Sequence, residues 1–301
     1  MTAGKASFFI SFQTLQHGAG RLQRPSSWSL KTVASNKPKR LRASPDHVRP
    51  DEAVSKQTNT TKKMKLLNSG NAKTRKGEKR GFITYGIHLA PANLSGFNVC
   101  QFASKGCAEA CLNTAGRGAM SSVQKARIAK TRLFFKDKQC FLEMLWAEVE
   151  SAMKSAAKKG MTPVFRLNLT SDLPWHKIKY NGSTIMDSFQ GVQFYDYSKG
   201  EERACEFAAG LMPSNYHLTY SRSEESNVME LVALLQSKVN VAIVFADKLP
   251  LTWQGFQVID GDADDLRFLD PRGVVVGLKA KGKGKVDSTG FVLQPEGLLH
   301  A

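Results

Sequence analysis

No apolar run in the sequence reaches about 18 residues, the length a membrane-spanning helix needs, so a transmembrane segment is not expected. Cysteine is scarce, with five in 301 residues. The count is odd and three of the five crowd into one short stretch. That distribution excludes a disulfide framework and fits a reducing compartment with a metal site. Acidic residues are also under-represented: 26 Asp/Glu face 43 Lys/Arg, a formal net charge of +17. A basic balance of this size points to nucleic acid, a nucleotide or another polyanion as partner, or to a solubilising excess of charge. At 42% hydrophobic residues the chain has enough apolar content for a sizeable core.

Acids are rarest at the N-terminus. Residues 1–63 hold twelve Lys/Arg against three Asp/Glu, leaving +9 there and +8 in the remainder. This stretch has no helix or strand period and reads as a disordered basic extension. Its basic, acid-free first part is also similar to an organellar transit peptide. A third reading, which we prefer, takes Met64 as the natural start, because dense patterning begins abruptly at Met64-Lys-Leu-Leu.

From Phe82 onward, strand-like and helix-like segments alternate. Strands are expected at Phe82–Ala90, Pro163–Leu169, Val192–Tyr197, Tyr216–Tyr220, Val239–Phe245, Phe256–Ile259 and Gly273–Leu278, all short and rich in Val, Ile, Phe or Tyr. Helices are expected at Ser121–Phe135, Lys138–Lys159, Glu201–Leu211 and Glu224–Ser237. In the second of these, Leu142, Leu145, Trp146 and Val149 fall on one helical face, with Asp137 placed to cap it and Gly160 to end it. Alternation of this kind predicts a parallel sheet with helical crossovers over 64–301. We expect an α/β fold, a complete or partial (β/α) barrel with the cysteine loop after the first strand, in preference to a doubly wound sheet. Polar residues gather at the strand ends: Ser171-Asp172, Asp196-Tyr197, Ser221-Arg222, Asp247-Lys248 and Asp260-Gly-Asp262. Barrels of this class collect their active-site residues there.

The chemistry concentrates in Asn98-Val-Cys-Gln-Phe-Ala-Ser-Lys-Gly-Cys-Ala-Glu-Ala-Cys-Leu112, where Cys100, Cys107 and Cys111 are spaced C-x6-C-x3-C. Thiolates bind soft metals, and close spacing lets one loop wrap one centre. Gly96 and Gly106 permit sharp turns, and Lys105 and Arg117 supply nearby positive charge. A closed structural zinc site wants four ligands. Three cysteines holding a cubane 4Fe-4S cluster leave one iron open. His88, on the strand leading into the loop, is the best fourth ligand for zinc, ahead of Cys140 and Cys205, which read as packing residues. Arg117, between two glycines, is a candidate for binding phosphate or carboxylate. Asp172 is the best acid/base or anchoring candidate, with Trp175 behind it as a stacking surface. The basic run Arg127, Lys130, Thr131 and Arg132 reads as a solvated helix face or a nucleic-acid contact. Asp260, Asp262, Asp264 and Asp265 would hold Mg2+ or, more simply, cap a helix at Leu266. Lys279 to Lys285 alternates Lys with small residues and reads as a flexible basic loop.

A strand followed by a three-cysteine loop resembles the radical S-adenosylmethionine enzymes, whose usual spacing is C-x3-C-x2-C. The spacing here, with its Ser104-Lys-Gly-Cys107 step, is closer to certain phage proteins grouped as radical-SAM-like. S-adenosylmethionine is the co-ligand that resemblance implies, but the second strand runs into Asn168-Leu-Thr-Ser-Asp172, with no glycine-rich methionine-binding motif. A closer resemblance covers most of Met64–Val286. Asn71-Ala-Lys-Thr, His88-Leu-Ala-Pro, Ser95-Gly-x-Asn-Val-Cys100, Gly106-Cys-Ala-x-Ala-Cys-Leu112, Gly116-Arg-Gly118, Ala126-Arg with Lys130-Thr131 and Phe134-Phe135, and Gly277-Leu-Lys-Ala are similar to the phage-encoded gene product 88 family. That resemblance implies a phage or prophage origin and the cytoplasm of a bacterial host, and no activity.

Two functional expectations follow. One is an iron–sulfur barrel protein, of radical-SAM-like type, acting on a nucleotide or nucleic acid. Its cluster would sit on Cys100, Cys107 and Cys111, and its pocket would be lined by Asp172, Asp196, Arg222 and Asp247. The alternative is a zinc-stabilised nucleic-acid-binding protein without catalysis. A base transferase on a barrel lacks a matching zinc or nucleophile motif.

Overall fold

The computed structural model describes residues 64–294. The basic extension expected over 1–63 lies outside the described residues. The strands in chain order are β1 (Leu67–Asn68), β2 (Phe82–Ile87), β3 (Thr162–Arg166), β4 (Lys179–Tyr180), β5 (Ser183–Thr184), β6 (Gln193–Ser198), β7 (Tyr216–Ser221), β8 (Asn240–Phe245), β9 (Thr252–Trp253), β10 (Phe256–Asp260), β11 (Val275–Lys279) and β12 (Val292–Leu293). The α-helices are α1 (Lys105–Glu109), α2 (Ser121–Lys136), α3 (Lys138–Ala157), α4 (Ile185–Ser188), α5 (Glu201–Ala208) and α6 (Val228–Gln236). Every strand and helix expected from the sequence is present. Among the described residues no helix is long and apolar enough to cross a membrane.

One mostly parallel sheet carries the fold, in the order β1-β2-β3-β6-β7-β8-β11-β10-β9. From β2 to β8 the strands follow chain order, as in a barrel. Then β11 inserts between β8 and β10. Of the complete or partial barrel that the sequence led us to expect, the complete, closed form does not occur among the described residues. The physical reason is at the edges. Antiparallel β1 occupies the outer edge of β2, and antiparallel β9 occupies that of β10, so neither edge is left to accept the other.

The two faces of the sheet are packed differently. On the outer face, α3 lays Phe141, Leu142, Leu145, Val149, Ala152 and Ala156 against Phe165 and Phe194, while Leu231, Leu234 and Leu235 of α6 cover Val241 and Ile243. The spacing of these apolar positions is that of an amphipathic helix. Asp137 caps α3 by accepting from the Cys140 amide at 3.0 Å, and Gly160 ends the following turn at φ 64°. Trp175, expected at the pocket, is instead buried in this outer core against Phe134 and Phe141. The expected solvated face of α2 is also buried: Arg127, Lys130 and Thr131 point inward, with the Lys130 ammonium on the Leu66 carbonyl at 2.8 Å. Only Arg132 of that run is exposed. Cys205, read as a packing residue, is exposed.

The inner face is covered by chain rather than by helices. Leu266 and Phe268, from the segment after β10, pack on Phe82, Val164 and Tyr195. Asp265 of that segment is fully buried and joins Arg166 Nη1 at 3.0 Å, Lys73 Nζ at 3.2 Å and the Tyr195 hydroxyl at 3.2 Å. Its neighbour Asp264 pairs with Arg80 and Arg267, and Asp262 with Lys281. The acidic cluster is therefore used to bind the chain's own cations, and Asp264 also accepts from the Leu266 amide as a turn cap. Because Lys73 and Arg80 flank the turn before β2, these pairs draw the two ends of the sheet toward each other.

Two outcomes test this packing. Burial would raise the Asp265 carboxyl, but Arg166 and Lys73 outweigh it and hold it below the usual range. Asp265→Ala strands both cations, and urea denaturation should show a loss of about 3–5 kcal/mol. His217, on the inner face of β7, is pushed down to about 4 by burial and by Arg272 and Arg267. A depressed imidazole stabilises fully above its unfolded value near 6.5 and loses that contribution as pH falls toward 4. In that window stability should decline by about 1.4 kcal/mol per pH unit through this group, and His217→Gln should remove that slope from the wild-type curve.

Candidate functional site

The cysteine loop is built by local hydrogen bonds. Asn98 Oδ1 accepts from the Cys100 amide at 2.8 Å, and the Cys100 carbonyl accepts from Ala103 at 3.0 Å. Gly96 takes the left-handed conformation at φ 88°. Ser104 caps α1 by accepting from the Cys107 amide at 3.2 Å. Gly106 is needed for a different reason from the turn we expected. A Cβ there would lie 2.1 Å from Thr289 Oγ1 and 2.7 Å from Phe291 Cβ, so only glycine lets the loop press against that segment. Glu224, from the loop after β7, holds the turn from outside, accepting from Ser104 Oγ and from the Gly106 amide at 2.6 Å each. Those two donors lower the Glu224 carboxyl although burial opposes them.

Cys100, Cys107 and Cys111 all line one cavity of about 490 Å³ at the carboxyl ends of the parallel strands. Burial pushes the Cys100 thiol up to about 11, and the neighbouring Cys111 and Cys107 add to the rise. Burial also raises Cys107, partly offset by Lys199. The three sulfurs thus interact electrostatically while lining a space larger than a single ion. Among the described residues no group of three or more His, Cys, Asp or Glu is arranged as a tight metal site.

Two cations face the cysteines. Arg127 donates through Nη1 to Asn113 Oδ1 and acts electrostatically on Cys111. Lys199 is fixed by three hydrogen bonds, to Ser221 O at 3.2 Å, Ser221 Oγ at 3.0 Å and Arg222 O at 2.9 Å. Burial depresses the Lys199 ammonium, and Cys107 and Asp172 work against that. His88 also lines the cavity. Its Nδ1 is 3.2 Å from Asn68 Nδ2, and burial followed by Arg127, Lys130 and Arg166 pushes it down to about 3. It is a neutral imidazole, the form that ligates metal.

A further part of the cavity wall is cationic. Arg166 stacks over the Tyr197 ring at 4.4 Å from its centroid, and Lys73 Nζ lies 3.4 Å from the Tyr197 hydroxyl. Lys279 and Lys281 complete that wall.

The wedge that opens the cavity comes from the sheet itself. One edge of β8 is taken along its length by β11. Its other edge pairs with β7 over Asn240–Ala242 and with β12 at Val244 and Phe245. At their carboxyl ends β7 and β8 therefore part, and the segment carrying Phe291 and Val292 enters between them and lines the cavity.

The structure sorts the remaining candidates. Asp172 lines the cavity but is locked, accepting from Arg203 Nη1 and from the Lys199 amide at 2.9 Å. Asp196 does not reach it. Its carboxylate lies on the outer face of β6, accepting from Asn168 N at 2.8 Å and Nδ2 at 3.1 Å, and burial pushes it up to about 7. Arg222 turns away to the carbonyls of Gly290 and Phe291, at 2.9 and 3.0 Å, where it clamps the wedge. Asp247 belongs to a separate hollow of about 350 Å³ beyond β8. Arg117 is exposed on a 3-10 turn and does not line the cavity.

Lys73, Arg166, Lys199 and Glu224 were missed in the sequence, and Tyr197 was noted there only as part of a polar strand end. For the strand residues a signal existed. Alternate residues of a strand face opposite ways, so once Phe165 and Phe194 are assigned to the helix side, Arg166 and Tyr197 must face the cavity and Asp196 must not.

The chain matches the family model described as gene product 88 over residues 56–295. This is a wider span than the quoted motifs covered. No curated protein and no solved structure matches it. By that match the chain belongs to the gene product 88 family.

Proposed function

We propose that this phage-family protein is an iron–sulfur enzyme of radical-SAM-like type, acting on a nucleotide or nucleic acid in the cytoplasm of a bacterial host. Its curled sheet is read as a partial barrel. The observation that carries this reading is that Cys100, Cys107 and Cys111, from a single loop, line one cavity at the carboxyl ends of the parallel strands.

The residues present fit a cluster held by three thiolates. Cys100, Cys107 and Cys111 come from one loop and line one cavity, and three thiolates of one loop are the donor set a cubane would take, with its fourth corner left open. Cys100 is protonated when nothing cationic binds it, since burial holds it near 11. Burial also raises Cys107, and Lys199 lowers the cost of ionising it when metal displaces its proton. A cluster held in this way supplies an open iron that binds a co-ligand or substrate. S-adenosylmethionine would have to find its site without the usual glycine-rich strand end. Here that strand end is closed on itself, with Asn168 Oδ1 accepting from Ser171, Leu173 and Trp175. His88, neutral and in the same cavity, supports the zinc-stabilised nucleic-acid-binding alternative as its fourth ligand.

Metal analysis decides between the two. Protein purified without oxygen should be brown, with iron and sulfide each near about four per chain, and Cys107→Ser should lose both. Colourless protein carrying a single zinc would replace this reading with the alternative. Glu224 should matter although it binds no metal. Glu224→Ala frees Ser104 and the Gly106 amide, and iron retention under chelator challenge should weaken by about tenfold or more, with little change in thermal stability.

A further inference from the structure

Part of the cavity wall is formed by Lys73, Arg166, Lys279 and Lys281, cations joined by two carboxylates, Asp262 and Asp265. Arg127 and Lys199 line the cavity as well. Asp262 pairs with Lys281 at 2.6 Å and accepts from the Lys279 amide at 3.0 Å, and Asp265 lies behind Arg166 and Lys73. Two positive charges are left over on that wall.

These groups have donor capacity to spare. Arg166 uses Nη1 for both Asp265 oxygens, at 3.0 Å each, which leaves the Nη2 donors of its guanidinium. The guanidinium lies over the Tyr197 ring, 4.4 Å from its centroid, and is anchored by Asp265, so its position is fixed before anything binds. A fixed guanidinium flanked by three ammonium groups suits a compact dianion with several acceptor oxygens. The volume, about 490 Å³, is that of a small-molecule site, typically about 300–1,000 Å³.

We propose that the cavity takes a phosphorylated small molecule, with its phosphate on Lys73, Arg166, Lys279 and Lys281, in the same cavity as the cysteines. This rests on reading the cavity as the substrate pocket, and it narrows the substrate from a nucleotide or nucleic acid to a single phosphorylated molecule. Lys279 and Lys281 carry the test because both are exposed.

Isothermal titration of the full chain with inorganic phosphate and with pyrophosphate, at matched ionic strength, should show saturable binding. The double variant K279A/K281A should bind at least about tenfold more weakly, roughly 1.4 kcal/mol, with an unchanged circular dichroism spectrum. The variant C100S/C107S/C111S should still bind. No binding of either anion, or equal binding by K279A/K281A, overturns the proposal. Binding by a chain that takes up no iron leaves the phosphate site standing and removes the iron–sulfur reading. Iron uptake without anion binding does the reverse.

Discussion

The buried carboxylate of Asp265 organises the inner half of the molecule. It is carried by the segment after β10 and meets Arg166 of β3, Lys73 before β2 and Tyr195 of β6. Burying a carboxylate is costly unless its partners are well placed, and here two cations and a hydroxyl satisfy it. The arrangement does two things together. It fastens chain from the far side of the sheet across the inner face, so that Leu266 and Phe268 can pack there. It also fixes Arg166 and Lys73 in the cavity wall while neutralising only part of their charge. A hydrophobic residue at 265 would leave two cations to find other partners, and the wall would lose its shape.

The outer face solves the same problem with a second network. Asp196 accepts from Asn168, Arg203 joins Asp172 to Ser198 and Tyr216, and the Tyr216 hydroxyl returns to Asp196 at 3.3 Å. This chain of bonds ties the end of β3 to β6, β7 and α5. Its consequence for the cavity is indirect: with Asp172 held by Arg203, its other oxygen receives the Lys199 amide, and Lys199 is thereby aimed past Ser221 toward Cys107. Asp172 and Asp196, which look catalytic in the sequence, are the ones that hold the strand ends still.

Much of the fold was legible because its strands are short apolar runs and its helices carry one apolar face. The failures have definite causes. Strands of two residues, such as β1, β9 and β12, have no period to read, yet β1 and β9 keep the sheet open and β12 wedges it apart. The insertion of β11 between β8 and β10 depends on contacts far apart in the chain. At the site, Cys100, Cys107, Cys111, His88 and Asp172 were found because their residue types are informative anywhere. Asp196 and Arg222 were chosen for chemistry at strand ends without regard to alternation, and each faces away from the cavity that Tyr197 and Ser221 line. Lys199 and Glu224 act through loops, where no period predicts direction.

The electrostatics of the cavity bear on what it can hold. Cys100 and Cys107 resist ionisation, first through burial and then through neighbouring thiols. A bound cation overcomes that resistance, and Lys199 lowers it further at Cys107, but the other lining cations work against any small isolated cation in the same space. On the reading proposed above, a centre that carried its own sulfide and three thiolates would be negative overall, and the lining cations would offset that charge and leave positive charge for a substrate anion.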